Sequence, residues 1–200
     1  MRGTGLHRSL GFTLVEIVAV IGVIAILAAV MVPTIVKHLE DSKTVRAQKD
    51  TELIATAITD FYKDTGRWPT RTAKGEYVVE ILNNSDGIAP DMGTKIKGWS
   101  RLKVTDSYDN QLVDNKPDGK RKYRYDESGE NRWKGPYSTN MKTDPWGRQY
   151  WCNAANLHPT ALTSGKAPVW VVSAGPDGVL ETDTDDYEVQ GDDIGFLIKR

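Results

Sequence analysis

The sequence predicts an α+β fold in which one long N-terminal helix packs on a small antiparallel β-sheet. Residues 17–36 include no charged side chain, although charged residues make up 26% of the chain. Apolar side chains then recur at three- and four-residue steps, which is the spacing of one helical face. Two runs rich in β-forming residues, 148–152 and 169–173, lie nearer the C-terminus. The recurring apolar residues are Leu53, Ile54, Ala57, Ile58 and Phe61.

The uncharged segment 17–36 is long enough to cross a membrane once. At a rise of 1.5 Å per residue it spans about 30 Å, which matches the hydrocarbon thickness of a bilayer. Arg2 and Arg8 precede it, so the positive-inside rule predicts a cytoplasmic N-terminus and a C-terminal domain on the other side. A cleaved secretory signal has a similar pattern and is the alternative.

One helix is predicted over residues 12–64, with a length of about 80 Å. Gly66 suits the position just beyond a helix end, and Pro69 prevents the helix from resuming. Residues 71–140 contain short apolar clusters between turn signals, and their pattern does not order the elements. The sequence Asp-Pro-Trp-Gly at 144–147 predicts a type I turn before the first β-rich run.

Composition and charge argue against nucleic-acid binding, disulfide bonding and catalysis. The net charge is -1, and no basic face for nucleic acid is implied. Cys152 is the single cysteine, so no intrachain disulfide can form, and we expect it to be a small buried apolar residue. No nucleotide-binding loop, Ser-His-Asp order or pair of catalytic acids stands out. We therefore predict that the protein is not an enzyme.

Residues 11–16 read Gly-Phe-Thr-Leu-Val-Glu, which places a small residue and then an acid at the threshold of the membrane. A carboxylate buried in the membrane costs about 2.5 kcal/mol or more, so it needs a partner. This sequence resembles the processing site of type IV pilins and their relatives. The resemblance implies that a membrane aspartyl peptidase, the prepilin peptidase, cuts after Gly11 and methylates the new N-terminal residue, Phe12.

The acid of that motif corresponds to Glu16. The resemblance implies that Glu16 neutralises the N-terminal amine of a neighbouring subunit in a filament. Opposite charges attract strongly in a helix bundle of low dielectric, whereas either charge alone is penalised, so the pair can set the axial register. The alternative is that Glu16 only complements the positive end of its own helix dipole, which is worth about 0.3–1 kcal/mol.

The C-terminal segment 177–193 contains six aspartates and two glutamates without a lysine or arginine. Calcium takes six to eight oxygens from carboxylates and carbonyls, so acids and tight glycine turns are suitable material for a calcium site. The sequences at 173–178 and 192–195 resemble the calcium loop of the major pseudopilins of type II secretion systems. The ligands that this resemblance implies are the side chains of Asp177, Asp192 and Asp193 and the carbonyls of Ala174 and Val179.

The calcium assignment has two alternatives. Residues 181–190 make the loop longer than in that family, and Asp183, Asp185 and Asp186 are rival ligands. A solvated acidic tail that binds no metal would also explain the composition.

The resemblance implies a domain organisation and a role. Residues 1–11 are a cleaved leader, 12–36 the transmembrane and assembly half of the helix, and 37–200 a periplasmic globular pseudopilin domain with a variable insert at 70–140. The chain would be a single-pass protein of the bacterial inner membrane, in contact with lipid, that polymerises with itself into a type II secretion pseudopilus. Its further partners would be minor pseudopilins and the inner-membrane assembly platform.

Two other functions fit parts of the sequence. A subunit of a type IV pilus, serving adhesion, motility or DNA uptake, is the nearest one, and the long middle segment favours it. A membrane-tethered, calcium-dependent binding module belongs to a different class, and it would not need Glu16.

Overall fold

A computed structural model of the chain describes residues 11–93, 96–139, 141–158 and 167–199. Residues 1–10 of the predicted leader lie outside the described residues. Contacts divide the chain into two units, Met1–Ser42 and Lys43–Arg200. The N-terminal helix α1, Leu14–Thr65, begins in the first unit and ends in the second.

The predicted helix is confirmed at both ends. Its C-terminus is closed by Gly66, whose N–H donates to the carbonyl oxygen of Tyr62 (2.8 Å). Gly66 has a φ of +66°, the left-handed conformation that ends many helices and that glycine adopts without strain. In the first unit every residue from 11 to 39 is exposed. Among the described residues, α1 is the one helix long and apolar enough to cross a membrane.

The second half of α1 supplies one face to a hydrophobic core. This face follows an i, i+4, i+7 pattern, and most of the predicted apolar residues lie on it. Leu53 is the exception: it is 63% exposed, because it is one position away from the buried face. The buried residues of α1 are Ala47, Thr51, Ile54, Ala55, Ala57, Ile58, Phe61 and Thr65.

The core helix packs on a five-stranded sheet with the order β3-β1-β4-β5-β7, and a separate two-stranded sheet pairs β2 with β6. A short helix, α2, covers Gly98–Arg101. The strands are β1 Ile81–Asn83, β2 Asp91–Met92, β3 Thr105–Ser107, β4 Trp151–Cys152, β5 Val169–Ser173, β6 Val179–Leu180 and β7 Ile194–Lys199.

The sheet is mixed, and the expectation of a purely antiparallel sheet is corrected. Strand β1 runs antiparallel to β4, and β5 runs antiparallel to both β4 and β7. Strand β3, however, pairs with β1 in parallel. Parallel neighbours need a long crossover, and residues 84–104, which include α2, provide it. The α+β class itself is confirmed.

The second predicted strand is confirmed over Val169–Ser173, whereas the first is shorter than predicted. The two residues before β4 pair elsewhere: the N–H of Gln149 donates to the carbonyl oxygen of Ile88 (3.0 Å). The N–H of Tyr150 donates to the side-chain oxygen of Asn84 (2.8 Å). These bonds replace ladder bonds, so the regular strand begins only at Trp151.

Two clusters of buried side chains cover the sheet. One includes Phe61 of α1, whose ring contacts those of Tyr125 and Tyr137 at centroid distances of 4.7 and 5.4 Å. The other includes Trp99 of α2, which packs on Trp151 of β4. Cys152 is buried and free, as predicted, and burial raises the pKa of its thiol.

The described residues between 70 and 139 contribute strands β1 and β3 to the five-stranded sheet. The buried side chain of Gln111 holds this region together. Its Nε2 donates to the carbonyl oxygen of Arg71 (2.7 Å) and to the carboxylate of Asp106, and its Oε1 accepts the hydroxyl of Tyr125. A buried polar side chain is tolerated where its donors and acceptor are satisfied, as they are here.

Two positions of α1 test this packing. We expect Phe61→Ala to lower the free energy of unfolding by about 3–5 kcal/mol, because the ring is fully buried and leaves a cavity. Leu53→Ala, on the exposed side of the same helix, should cost less than about 0.5 kcal/mol. Urea denaturation of residues 37–200 measures both, and equal losses would contradict the assigned face.

Candidate assembly and metal sites

The acidic loop, residues 174–193, connects the end of β5 to the start of β7 and turns sharply through Gly175 and Gly178. The N–H of Gly178 donates to the carbonyl oxygen of Ala174 (3.1 Å). Gly175 has a φ of +61°, and a Cβ at this position would lie 2.2 Å from the carbonyl oxygen of Asp192. Only glycine therefore allows residues 174–178 to approach the chain just before β7.

Three carboxylates meet at this crossing. Oxygens of Asp177, Glu181 and Asp192 all lie within 4.8 Å of one another. Hydrogen bonds orient them: Asp192 accepts the N–H of Asp177 (3.2 Å), and Glu181 accepts the N–H of Asp192 (3.1 Å). Oxygens that share one hard cation at about 2.3–2.6 Å are separated by at most about 5 Å. The cluster therefore has the spacing and the oxygen donors that a divalent cation requires.

Asp193 adds a buried carboxylate beside the cluster. Its side chain is 7% exposed, and its Oδ2 accepts the N–H groups of Glu181 (2.9 Å) and Thr182 (2.6 Å). Its Oδ1 is buried without a hydrogen-bond partner, as is Oδ1 of Asp192. Burial raises the pKa of Asp193 to about 6 and also raises the pKa of Asp192. Buried carboxylate oxygens without hydrogen-bond partners are unfavourable.

The structure brings two of the expected ligands together in the cluster. Asp177 and Asp192 share the cluster, and Glu181, which sequence reasoning missed, completes it. The carbonyl of Ala174 already accepts a hydrogen bond in the turn. The amide of Val179 donates to Asp177 (2.7 Å), which holds that carboxylate in place.

Asp183 and Asp186, two of the alternative calcium ligands, accept hydrogen bonds from backbone N–H groups. Asp183 accepts the N–H groups of Lys97 (3.0 Å) and Gly98 (2.8 Å), so it joins the acidic loop to α2. Asp186 accepts the N–H of Asp183 (2.8 Å). Asp185 is exposed.

The predicted turn at 144–147 supports the same loop, a role that sequence reasoning missed. The N–H of Gly147 donates to the carbonyl oxygen of Asp144 (3.0 Å), which confirms the turn. The buried carboxylate of Asp144 accepts the N–H groups of Trp146 (3.0 Å) and Arg148 (2.7 Å) and the hydroxyl of Ser173 (2.6 Å). Asp144 thus fixes the point where β5 leads into the acidic loop.

The candidate processing site lies just before α1. Gly11 and Phe12 are exposed and outside regular secondary structure, so the bond between them is accessible. Glu16 lies in the first turn of the helix, where its carboxylate accepts the N–H (3.4 Å) and the hydroxyl (3.3 Å) of Thr13. The hydroxyl of Thr13 in turn accepts the N–H of Glu16 (3.3 Å). Thr13 and Glu16 thus form a capping box.

The capping box gives Glu16 a role within its own helix that differs from the helix-dipole alternative. It satisfies donors at the helix start, but either a glutamate or a glutamine can close it. It therefore does not require a charge. The site leaves open a second role that depends on charge, in which Glu16 pairs with an amine.

Comparison with known proteins finds relatives of two named kinds. Two sequences of the type IV major pilin protein PilE1 of Neisseria gonorrhoeae are 29% and 30% identical to the chain, over 46% of it and over 62% and 68% of the pilins. The type II secretion system core protein G of Dickeya chrysanthemi is 28% identical, over 90% of the chain and 85% of that protein. The type II secretion system core protein G of Aeromonas hydrophila is 35% identical, over 42% of the chain and 57% of that protein.

The chain thus spans less than two thirds of the first of these pilins and most of the Dickeya protein. No protein-family model matches the chain, and no solved structure matches it. The matched relatives are pilins and a secretion-system core protein, and none is an enzyme.

Proposed function

The chain belongs to the type IV pilin-like family of filament subunits, and we propose that it is the major pseudopilin of a type II secretion system. In this role it polymerises in the periplasm and drives folded proteins across the outer membrane. The observation that carries the proposal is the alignment with the Dickeya core protein G, which extends over most of the chain, whereas the gonococcal pilins match less than half of it. As its relatives indicate, the chain is a structural protein and not an enzyme.

The exposed half of α1 supports membrane anchoring followed by polymerisation. Residues 14–36 are exposed all round the helix and, apart from Glu16 and Thr34, they are apolar, so they need a cover. In the inner membrane lipid covers them, and in a filament the helices of other copies do so. The N-terminus then lies in the cytoplasm and the unit Lys43–Arg200 in the periplasm.

We propose that processing prepares the chain for assembly. The prepilin peptidase cuts after Gly11 and methylates Phe12, which leaves an amine within one helical turn of Glu16. An amine at the positive end of a helix dipole is unfavourable, so it gains from a carboxylate. In a filament the amine of one subunit pairs with Glu16 of a neighbour, with the assembly platform and minor pseudopilins as further partners.

Two variants separate this pairing from helix capping. Glu16→Gln retains a side-chain oxygen for the capping box but removes the charge, whereas Thr13→Ala removes the cap and keeps the charge. We expect both chains to insert and to begin at methylated Phe12, as intact mass of membrane-extracted protein will reveal. Glu16→Gln should lower filament yield at least tenfold, and Thr13→Ala by less than about threefold.

Filament yield is measured by cross-linking in membranes and by electron microscopy of sheared material. If Glu16→Gln assembles as well as the unmodified chain, Glu16 has only its local capping role. A mature chain that begins near Pro33 would instead indicate ordinary signal cleavage and would exclude a filament built on this helix.

A type IV pilus is the second candidate, because pilins are also among the relatives of the chain. The neighbouring genes discriminate between the two functions. An outer-membrane secretin and a secretion ATPase beside minor pseudopilin genes favour secretion. A gene for a retraction ATPase favours a pilus.

We further propose that calcium binds the cluster of Asp177, Glu181 and Asp192. The three acids repel one another without a cation, and buried carboxylate oxygens nearby lack partners. Since the chain has one cysteine, a disulfide cannot hold this loop. Calcium would take over that task.

Thermal melting of residues 37–200 tests the calcium site. A ligand that binds only the folded state adds about 2.7 kcal/mol of stability at a hundred times its Kd. We therefore expect chelation to lower the Tm by about 5–10 °C, and calcium but not sodium to restore it. Asp177→Ala should remove most of this response, whereas Asp86→Ala, an exposed acid outside the loop, should leave it intact. Identical melting in calcium and in chelator would mean a solvated acidic loop.

A further inference from the structure

A basic segment, residues 116–124, lies against β3 at one edge of the sheet. It contains five lysines and arginines and one aspartate. Two of its charges are paired: Lys116 with Asp114 (2.9 Å) and Lys120 with Asp118 (3.4 Å). In the part of the chain that the structure describes, the other three basic side chains make no ion pair, although all three are exposed. These side chains are Arg121, Lys122 and Arg124.

The basic segment belongs to the edge strand β3. The N–H of Asp118 donates to the carboxylate of Asp106 in β3 (2.9 Å). The backbone carbonyls of Tyr123 and Arg124 accept hydrogen bonds from Arg71. These contacts hold the backbone in place and leave the basic side chains in solvent.

An acidic segment, residues 183–188, lies near the other edge of the sheet. It contains four acids and no basic residue. The carbonyl oxygen of Asp186 accepts the indole N–H of Trp170 in β5 (2.7 Å), so the segment runs over β5, the neighbour of the edge strand β7. Among its acids, Asp185 and Glu188 are exposed, and neither belongs to the candidate metal cluster. No acid of the segment makes an ion pair with a described residue.

The two segments cannot neutralise each other within one subunit. The basic segment is hydrogen-bonded to β3 and the acidic segment to β5, and these strands lie three positions apart in the sheet, or about 14 Å at about 4.8 Å per strand. Charges in solvent are screened beyond about 8 Å at physiological ionic strength. The basic segment therefore presents three unpaired positive charges to the surroundings, and the acidic segment presents four negative charges.

We propose that the basic segment of one copy docks on the acidic segment of a second copy. The charges are opposite in sign and similar in number, and such complementarity orients partners and fixes their register. Because the two segments differ, the contact is heterologous: each copy offers its basic segment to one neighbour and its acidic segment to another. A heterologous contact that does not close generates an open helical array. The inference rests on the proposed filament and assigns it a second interface outside the membrane helix.

Charge reversal tests the contact in cells that assemble the full chain. One variant combines Arg121→Glu with Lys122→Glu, and the other combines Asp185→Lys with Glu188→Lys. Each places like charges opposite each other and should lower filament yield at least tenfold. The chain that carries all four changes should recover to within about threefold of the unmodified protein. The matched control is Lys74→Glu with Asp86→Lys, two exposed charges outside both segments, which should stay within twofold.

Cysteine cross-linking gives a second measurement that does not depend on yield. A chain with both Arg121→Cys and Asp185→Cys should form a ladder of disulfide-linked multimers under oxidation, and either change alone should form none. The buried Cys152 does not compete, and the unmodified chain serves as the control. For a heterologous contact, we expect the double variant to form a ladder of multimers. A mixture of the two single variants should form dimers and nothing larger.

Three results would overturn this contact. The first is that both charge-reversed chains form filaments in native yield. The second is that the chain with all four changes folds but does not recover filament yield. The third is that the double-cysteine chain forms no ladder. If Arg121→Glu with Lys122→Glu abolishes binding to anionic lipid vesicles but leaves filament yield unchanged, the basic segment binds a lipid surface instead. If the unmodified chain forms no filaments, the filament proposal itself fails, which is distinguishable from these outcomes.

Discussion

The apolar surface of residues 12–36 has to be covered, and most other features of the chain relate to this need. A helix that exposes apolar side chains all round is not stable in water, so it requires lipid or other helices. Both covers accept the same side chains, which allows one segment to serve first as an anchor and then as an assembly element. Glu16 is the single charged residue in α1 before Lys37, so it is the position where the two covers differ most in energy.

Buried carboxylates stabilise the unit Lys43–Arg200, which contains no disulfide among its described residues. Asp144 accepts three hydrogen bonds and fixes the entry to the acidic loop, and Asp193 accepts two backbone N–H groups near its exit. The remaining acids of the crossing, Asp177, Glu181 and Asp192, accept one backbone N–H each and lie within 4.8 Å of one another, which is the spacing that the proposed calcium site requires. The loop also joins α2 to the sheet through Asp183, so its order affects the middle of the chain.

Local signals predicted much of this structure, and long-range contacts account for what they missed. Helix α1, its end at Gly66, the turn at 144–147 and strand β5 follow from periodicity and turn chemistry. The parallel pairing of β1 with β3 joins residues more than twenty positions apart, which no local pattern encodes. Strand β7 was missed because Gly195 weakens its β signal. Glu181 was missed as a member of the cluster because long-range contacts determine its position.

The position of Glu181 depends on contacts that only the folded chain makes. It approaches Asp192 because Gly191 has no side chain, and a Cβ there would lie 1.2 Å from the Glu181 carboxylate. The structure likewise adds a contact of Glu16 that the sequence did not predict. Its sequence context predicted a partner in another subunit, and the structure adds a partner, Thr13, within the same chain.

The most direct test of the account is a cryo-electron microscopy map of the filament that this chain forms. The account predicts a central bundle made of the apolar halves of α1, with the Phe12 amine of one subunit within about 4 Å of the Glu16 carboxylate of a neighbour, an ion-pair distance. Chains that remain monomeric in the membrane would contradict it. A filament in which Glu16 contacts only Thr13 of its own chain would contradict it as well.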